Sequence, residues 1–333
     1  MDYPRQTNGG GNSPLEVRHE KEALSRTLSC LGLGLLLFLL TARGVSLLVG
    51  LLRQRGILQA AALTPIALQL LNLIAYILSL LVPILAVPAL LGRPVRSMVP
   101  LAVPHPRFFL PAMGLTLGVA AGINLLSSLL LYYIQQHFGV ALPAYAPQFF
   151  GGWASFLLTV LSSAVFPAVL EEALFRGLVL HSLRPFGDGF AVAVSAVLFA
   201  LCHTTVGQWL PAFIIGLCLG CFVVRSGSVL TGMIIHFVYN LMVTLVSMGG
   251  YFGGEEHQML GTLLMVGLSL VACLVSYIVL SERYGSIFRL RDRGGPLSGG
   301  QRLGAVFTNI PVLMAAAMLL YTTLSPVVGG AIP

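Results

Sequence analysis

The chain has 333 residues, 57% of them hydrophobic and only 9% charged, against roughly 25% charged in an ordinary soluble domain. That excludes a soluble enzyme and a disordered chain. The net charge of +7 would suit nucleic acid only if the basic residues formed a patch with interleaved aromatics; they are spread over short loops, so no nucleic-acid partner is expected.

Residues 1–26 read as a polar tail carrying Arg5, Arg18, Lys21 and Arg26. The apolar run that follows is too long for a signal-peptide core and lacks a small-residue cleavage site, so it reads as a retained first span. Apolar stretches then lie at Leu28 to Leu52, Ala60 to Leu91, Phe109 to Ile134, Trp153 to Leu183, Phe190 to Cys202, Trp209 to Val224, Val229 to Met248, Met259 to Leu280 and Leu303 to Leu324. A bilayer crossing takes ~20 residues, so eight or nine transmembrane helices are predicted. The runs are too continuously apolar for barrel strands, and backbone groups in lipid must be satisfied within each segment. The fold class is therefore all-α, a polytopic integral membrane helical bundle.

Cytoplasmic loops carry the excess of Lys and Arg. With the N-terminus inside, fourteen basic residues fall on inner segments and two, Arg53 and Arg55, on outer ones; Arg43 and Arg176 lie within spans. The segments at Gln135 to Gly152, Thr204 to Gln208 and Gly249 to Gln258 contain no Lys or Arg, as outer loops should. The fifth and sixth stretches are short and are expected to line an internal cavity. Gly114, Gly118 and Gly122, and likewise Gly216 and Gly220, recur at intervals of four, which permits close helix approach. The five cysteines, including Cys218-x-x-Cys221, read as packing residues, and Gly294 to Gln301 as a flexible inner loop.

Between Glu22 and Asp188 the only acidic residues are Glu171 and Glu172, deep in the fourth stretch. A carboxylate at mid-helix costs at least ~2.5 kcal/mol on insertion scales and faces protein or water rather than lipid. Arg176, four residues beyond Glu172, can pair with it on one helix face. Glu171, rotated about 100° away, has no local partner. An unpaired carboxylate beside a buried ion pair is suited to general base or proton-carrier chemistry, although a plain structural clamp uses the same residues.

Among seven histidines, His203 and His236 stand apart. His203 ends the fifth stretch in Phe199-x-x-x-His203, and His236 shares a face with Asn240 in His236-x-x-x-Asn240. Helix rise puts Glu171 about 18 Å, His203 about 20 Å, His236 about 10 Å and Asn240 about 16 Å from the inner ends of their spans. These depths allow one buried cluster.

Glu171-Glu172-Ala173-Leu174-Phe175-Arg176-Gly177, Phe199-x-x-x-His203 and His236-x-x-x-Asn240 resemble the three ordered motifs of the CPBP family, the CAAX-processing and bacteriocin-processing (Abi) intramembrane endopeptidases. The resemblance covers a core at 153–248, between N-terminal transmembrane helices at 27–152 and C-terminal ones at 249–333. It implies peptide hydrolysis in an intramembrane cavity, with Glu171 as general base, His203 helping to orient or deprotonate water, and His236 and Asn240 donating to the oxyanion. Glu172, held by Arg176, would support Glu171.

The family's metalloprotease label makes Glu171, His203 and His236 candidate zinc ligands. There is no H-E-x-x-H, and a metal-free Glu/His mechanism is equally consistent. The expected partners are membrane lipid and a membrane-associated or lipidated peptide or protein. The expected location is a bacterial plasma membrane, with the N-terminus cytoplasmic. A proton-coupled transporter would also use buried carboxylates and histidines but predicts inverted repeats, and no repeat is present. A non-catalytic immunity or scaffold membrane protein is the other alternative.

Overall fold

A computed structural model describes residues 13–56, 64–139, 142, 147–290 and 295–330. Among these residues the only regular elements are helices: α1 (Pro14–Gln54), α2 (Pro65–Leu91), α3 (Val95–Met98), α4 (Pro106–Phe138), α5 (Gly152–Phe186), α6 (Asp188–Leu201), α7 (Val206–Ser226), α8 (Val229–Tyr284), α9 (Gly299–Phe307) and α10 (Ile310–Gly330). Local chemistry sets several of the starts. Ser13 and Glu16 form a reciprocal capping box ahead of α1, and Thr64 with Pro65 opens α2; side-chain oxygens there replace missing helical acceptors, and proline lacks an N–H to leave orphaned.

Six helices are long and apolar enough to cross a membrane, or seven when the bent pair α9–α10 counts as one span, against the eight or nine expected. Two features account for the gap. Phe190 to Cys202 falls in α6, whose 14 residues rise only about 21 Å at 1.5 Å per residue. The seventh and eighth stretches merge into α8, which is 56 residues long and broken at Gly254 (φ 75°, ψ −173°). Only glycine adopts that backbone cheaply. Across the break Val246 lies against Gly261, so the two halves run back side by side and the expected loop Gly249 to Gln258 is reduced to a tight turn between helices.

The expected flexible loop at Gly294 to Gln301 is also different. Gly294 lies outside the described residues. Leu297 N–H donates to Glu20 Oε2 at 3.0 Å, and Ser298 with Gln301 forms a second capping box that starts α9. A Ser-x-x-Gln spacing is a helix-start signal, and it outweighs the neighbouring glycines. The pair α9–α10 is bent by 65°. At the bend Asn309 Nδ2 donates to Ser29 Oγ (2.9 Å) and Ser25 O (3.1 Å) of α1.

Small residues set the helix spacing as expected. A Cβ on Gly118 would come within 2.2 Å of Cys273 Cβ, and one on Gly114 within 2.3 Å of Ser276 Oγ, so α4 packs closely on the second half of α8. Gly122 meets nothing nearer than 3.9 Å and does not share this role. Gly216 and Gly220 of α7 face Ala196 and Val192 of α6, each 3.1 Å from the added carbon. The five cysteines are free thiols, Cys30, Cys218 and Cys221 buried and Cys202 and Cys273 partly so.

Loop contacts sort the two ends of the bundle. At one end Val229 N–H donates to Pro100 O (2.8 Å), Arg225 Nη1 to Ser286 O and Ile287 O (3.1 Å each), and Leu297 to Glu20. At the other, Ser127 Oγ donates to Gly207 O (2.9 Å), and Gln69 Nε2 to Gln148 O (3.0 Å) and Thr159 Oγ1 (2.8 Å). The segments counted as basic thus adjoin one another. Arg5, Arg291 and Arg293 lie outside the described residues.

Candidate active site

The carboxylate pair sits on a modified stretch of α5. Pro167 interrupts this helix, and a proline inside a helix removes one hydrogen bond and crowds the preceding turn. The helix carries wider π turns at Leu161–Val165, Pro167–Glu171 and Ala173–Val179, a geometry frequent at functional sites. Glu171 closes one of these turns and Glu172 precedes the next.

Glu172 is fully buried. Its Oε1 accepts from Arg176 Nη1 at 2.6 Å, and neither side chain is exposed. The pairing predicted from the four-residue spacing is therefore present. Arg176 also donates from Nη2 to Gly216 O (3.3 Å), and its guanidinium lies 4.2 Å from the centre of the Phe199 ring. Two glycines make room for the clamp. A Cβ on Gly232 would fall 2.5 Å from Glu172 Oε2, and one on Gly216 would lie 3.4 Å from Arg176 Nη2.

Two separate helices bring the histidines to this clamp. His236 of α8, itself buried, approaches Glu172 Oε1 with Nδ1 at 3.1 Å. A carboxylate held by arginine accepts hydrogen bonds, so Nδ1 carries the hydrogen and Nε2 faces Glu171 Oε2, 4.0 Å away. A separation of that size suits a bridging water. His203, just past the end of α6, has Nδ1 at 2.9 Å from Phe199 O. A carbonyl only accepts, so this ring too has a protonated Nδ1 and, when neutral, an available Nε2. Because α6 stops short of the ~30 Å hydrocarbon thickness, His203 is delivered within the bundle. Phe199 contacts both histidine rings edge-on, at centroid distances of 4.8 Å for His203 and 5.9 Å for His236.

Glu171 differs from its neighbour. Its side chain is 18% exposed while that of Glu172 is 0% exposed. The sequence offers Glu171 no local partner, yet the Tyr76 hydroxyl of α2 donates to Glu171 Oε1 at 2.6 Å. A single tyrosine in an apolar run belongs to no spacing pattern, so no sequence signal pointed to it. Tyr76, Glu171, Cys202 and His203 line a cavity of about 50 Å³, walled by Phe38, Leu80, Phe175 and Phe199. One water needs roughly 10–15 Å³ of such space. The cavity therefore admits water beside Glu171 and is too small for a peptide as it stands.

Asn240 follows His236 by one turn. Its side chain makes no hydrogen bond to the other five residues; its carbonyl accepts from Thr244 Oγ1 at 2.7 Å. The candidate zinc ligands are not arranged as a metal site either. Among the described residues no group of three or more His, Cys, Asp or Glu side chains is placed to share one ion.

Residues 153–242 match the family described as Rce1-like, type II CAAX prenyl endopeptidase. That segment is similar to Rce1-like endopeptidases. This agrees with the CPBP resemblance and supports an intramembrane endopeptidase of that kind. All six candidate residues, Glu171, Glu172, Arg176, His203, His236 and Asn240, fall inside the Rce1-like segment; Tyr76 falls outside it. No curated protein and no solved structure matches the chain.

Proposed function

We propose that the protein hydrolyses a peptide bond of a membrane-associated substrate using water activated inside the bundle. The observation that carries this reading is the asymmetric carboxylate pair: one member locked by arginine, the other bordering a water-sized cavity with His236 Nε2 at 4.0 Å. A locked, fully buried carboxylate is structural. Its partly exposed neighbour is free to take a proton.

Glu171 acts as general base on water in the cavity, with His203 Nε2 orienting that water. Attack on the peptide carbonyl places negative charge on its oxygen. His236, oriented through Nδ1 by Glu172 at 3.1 Å, contributes a donor at Nε2 in its imidazolium form. Asn240 supplies a second donor when substrate draws its side chain in. Each such donor is worth roughly 2.7–4 kcal/mol in comparable sites. Glu171 then returns the proton to the leaving amine. No step is routed through a metal.

The substrate class is a C-terminal, lipid-modified or leader-bearing peptide of the CAAX-processing kind. The apolar walls of Phe38, Leu80, Phe175 and Phe199 suit a chain presented from lipid. The end that gathers the basic segments is the cytoplasmic end, by the excess of Lys and Arg there. Residues 153–248 form the catalytic core, with helices on both sides anchoring and enclosing it.

His203→Ala and His236→Ala are each expected to abolish cleavage of a co-expressed substrate while membrane levels of the protein stay normal. Full activity in either variant would remove that histidine from the mechanism. Chelation with dialysis is expected to leave the rate unchanged; loss on chelation and recovery on zinc readdition would make the enzyme a metalloprotease.

A further inference from the structure

We infer that Tyr76, from a helix outside the Rce1-like segment, is a positioning residue for Glu171, so that the N-terminal helices complete the active site. The inference rests on the reading of Glu171 as general base. A carboxylate on a flexible side chain has two equivalent oxygens and free rotation about its terminal bond. Here the two oxygens are distinguished: Oε1 takes the Tyr76 hydroxyl at 2.6 Å, and Oε2 faces His236 Nε2 at 4.0 Å. One oxygen is held, and the other is left for a proton. Tyr76 also lines the cavity beside Glu171 and His203, so its hydroxyl borders the space in which water would be activated.

Other contacts place further helices from outside the matched segment around the same groups. Thr323 of α10 donates to His203 O at 3.1 Å, and Phe38 of α1 forms part of the cavity wall. Residues 153–242 alone therefore contain the reacting groups and orient both histidines but lack the hydrogen bond that holds Glu171. The Tyr76 hydrogen bond fixes the direction of the carboxylate. Misplacing a reacting group by about 1 Å can cost ~100-fold in rate.

The test uses the full-length protein in vesicles with a membrane-anchored peptide, comparing wild type, Tyr76→Phe, Glu171→Gln and the double variant. Phenylalanine keeps the ring and removes only the hydroxyl. Tyr76→Phe should lower kcat about 10- to 100-fold, leave KM within about twofold, and unfold at the wild-type temperature. Adding Tyr76→Phe to Glu171→Gln should lower the residual rate no further, since the hydroxyl acts through that carboxylate. An unchanged or raised kcat in Tyr76→Phe, with Glu171→Gln inactive, overturns the positioning role and leaves the general base intact. A fully active Glu171→Gln overturns the general base, and with it this inference. A Tyr76→Phe protein that is lowered in kcat only because it is unfolded is recognised by its melting temperature; the Tyr76→Leu variant, apolar and without any donor, must then show the kcat loss in a folded protein, and wild-type kcat there overturns the role.

Discussion

Glu171→Gln is expected to lower peptide cleavage by roughly 10²- to 10⁴-fold, the range for loss of a general base, with little change in stability. The reasons are geometric. The side chain is 18% exposed, and a glutamine carbonyl can still accept from Tyr76, so packing and the α2–α5 hydrogen bond survive while the proton acceptor is lost. Glu172→Gln should behave differently although the two residues are adjacent and chemically identical. Glu172 is fully buried and holds both Arg176 at 2.6 Å and His236 at 3.1 Å, so its loss should appear first as a lower melting temperature and a smaller yield of folded protein. Initial rates and thermal unfolding of the two variants, measured side by side in detergent, check this separation. Equal loss of activity at equal stability would contradict the division of roles.

Arg176→Met should be the most damaging substitution for the fold. It leaves the Glu172 carboxylate buried without its cation, and removal of one partner of a buried pair costs about 3–5 kcal/mol. It also removes the donor to Gly216 O and the cation over the Phe199 ring, the latter worth roughly 0.5–2 kcal/mol. Pairing it with Glu172→Gln should recover part of the loss, because no uncompensated charge then remains. Denaturant or thermal unfolding of the single and double variants measures this. A single variant as stable as wild type would show that the clamp does not hold α5, α7 and α8 together.

The parts of this arrangement that were legible in the sequence are those set by periodicity or by the cost of charge in lipid. Glu172 and Arg176 were paired from their spacing because residues four apart share a helix face, and the pair is found. Glu171, Glu172, His203 and His236 could be grouped because polar side chains deep in apolar runs need protein or water around them. Tyr76 was not legible. Its contact with Glu171 joins residues 95 apart in the chain, and an aromatic residue in a hydrophobic helix has an ordinary packing role by default. The π turns of α5 were not visible either, since they leave the apolar pattern of the run unchanged.

The helix count shows the same division. Apolar length predicted each membrane-embedded stretch, but length alone could not show that α6 stops early and so delivers His203 to the interior. Nor could it show that Gly254 joins two stretches by a turn rather than a loop. In α9 the reverse holds: the signal was present as Ser298 and Gln301, and the adjacent glycines hid it.

The central claim is that water held among Glu171, His203 and His236 splits an amide bond within the membrane. Its most direct test is mass spectrometry of a lipid-anchored peptide incubated with the purified protein in sealed vesicles. The account predicts a new peptide terminus with the wild-type protein and none with Glu171→Gln. An intact peptide with a folded wild-type protein, or equal cleavage by the two proteins, would contradict it.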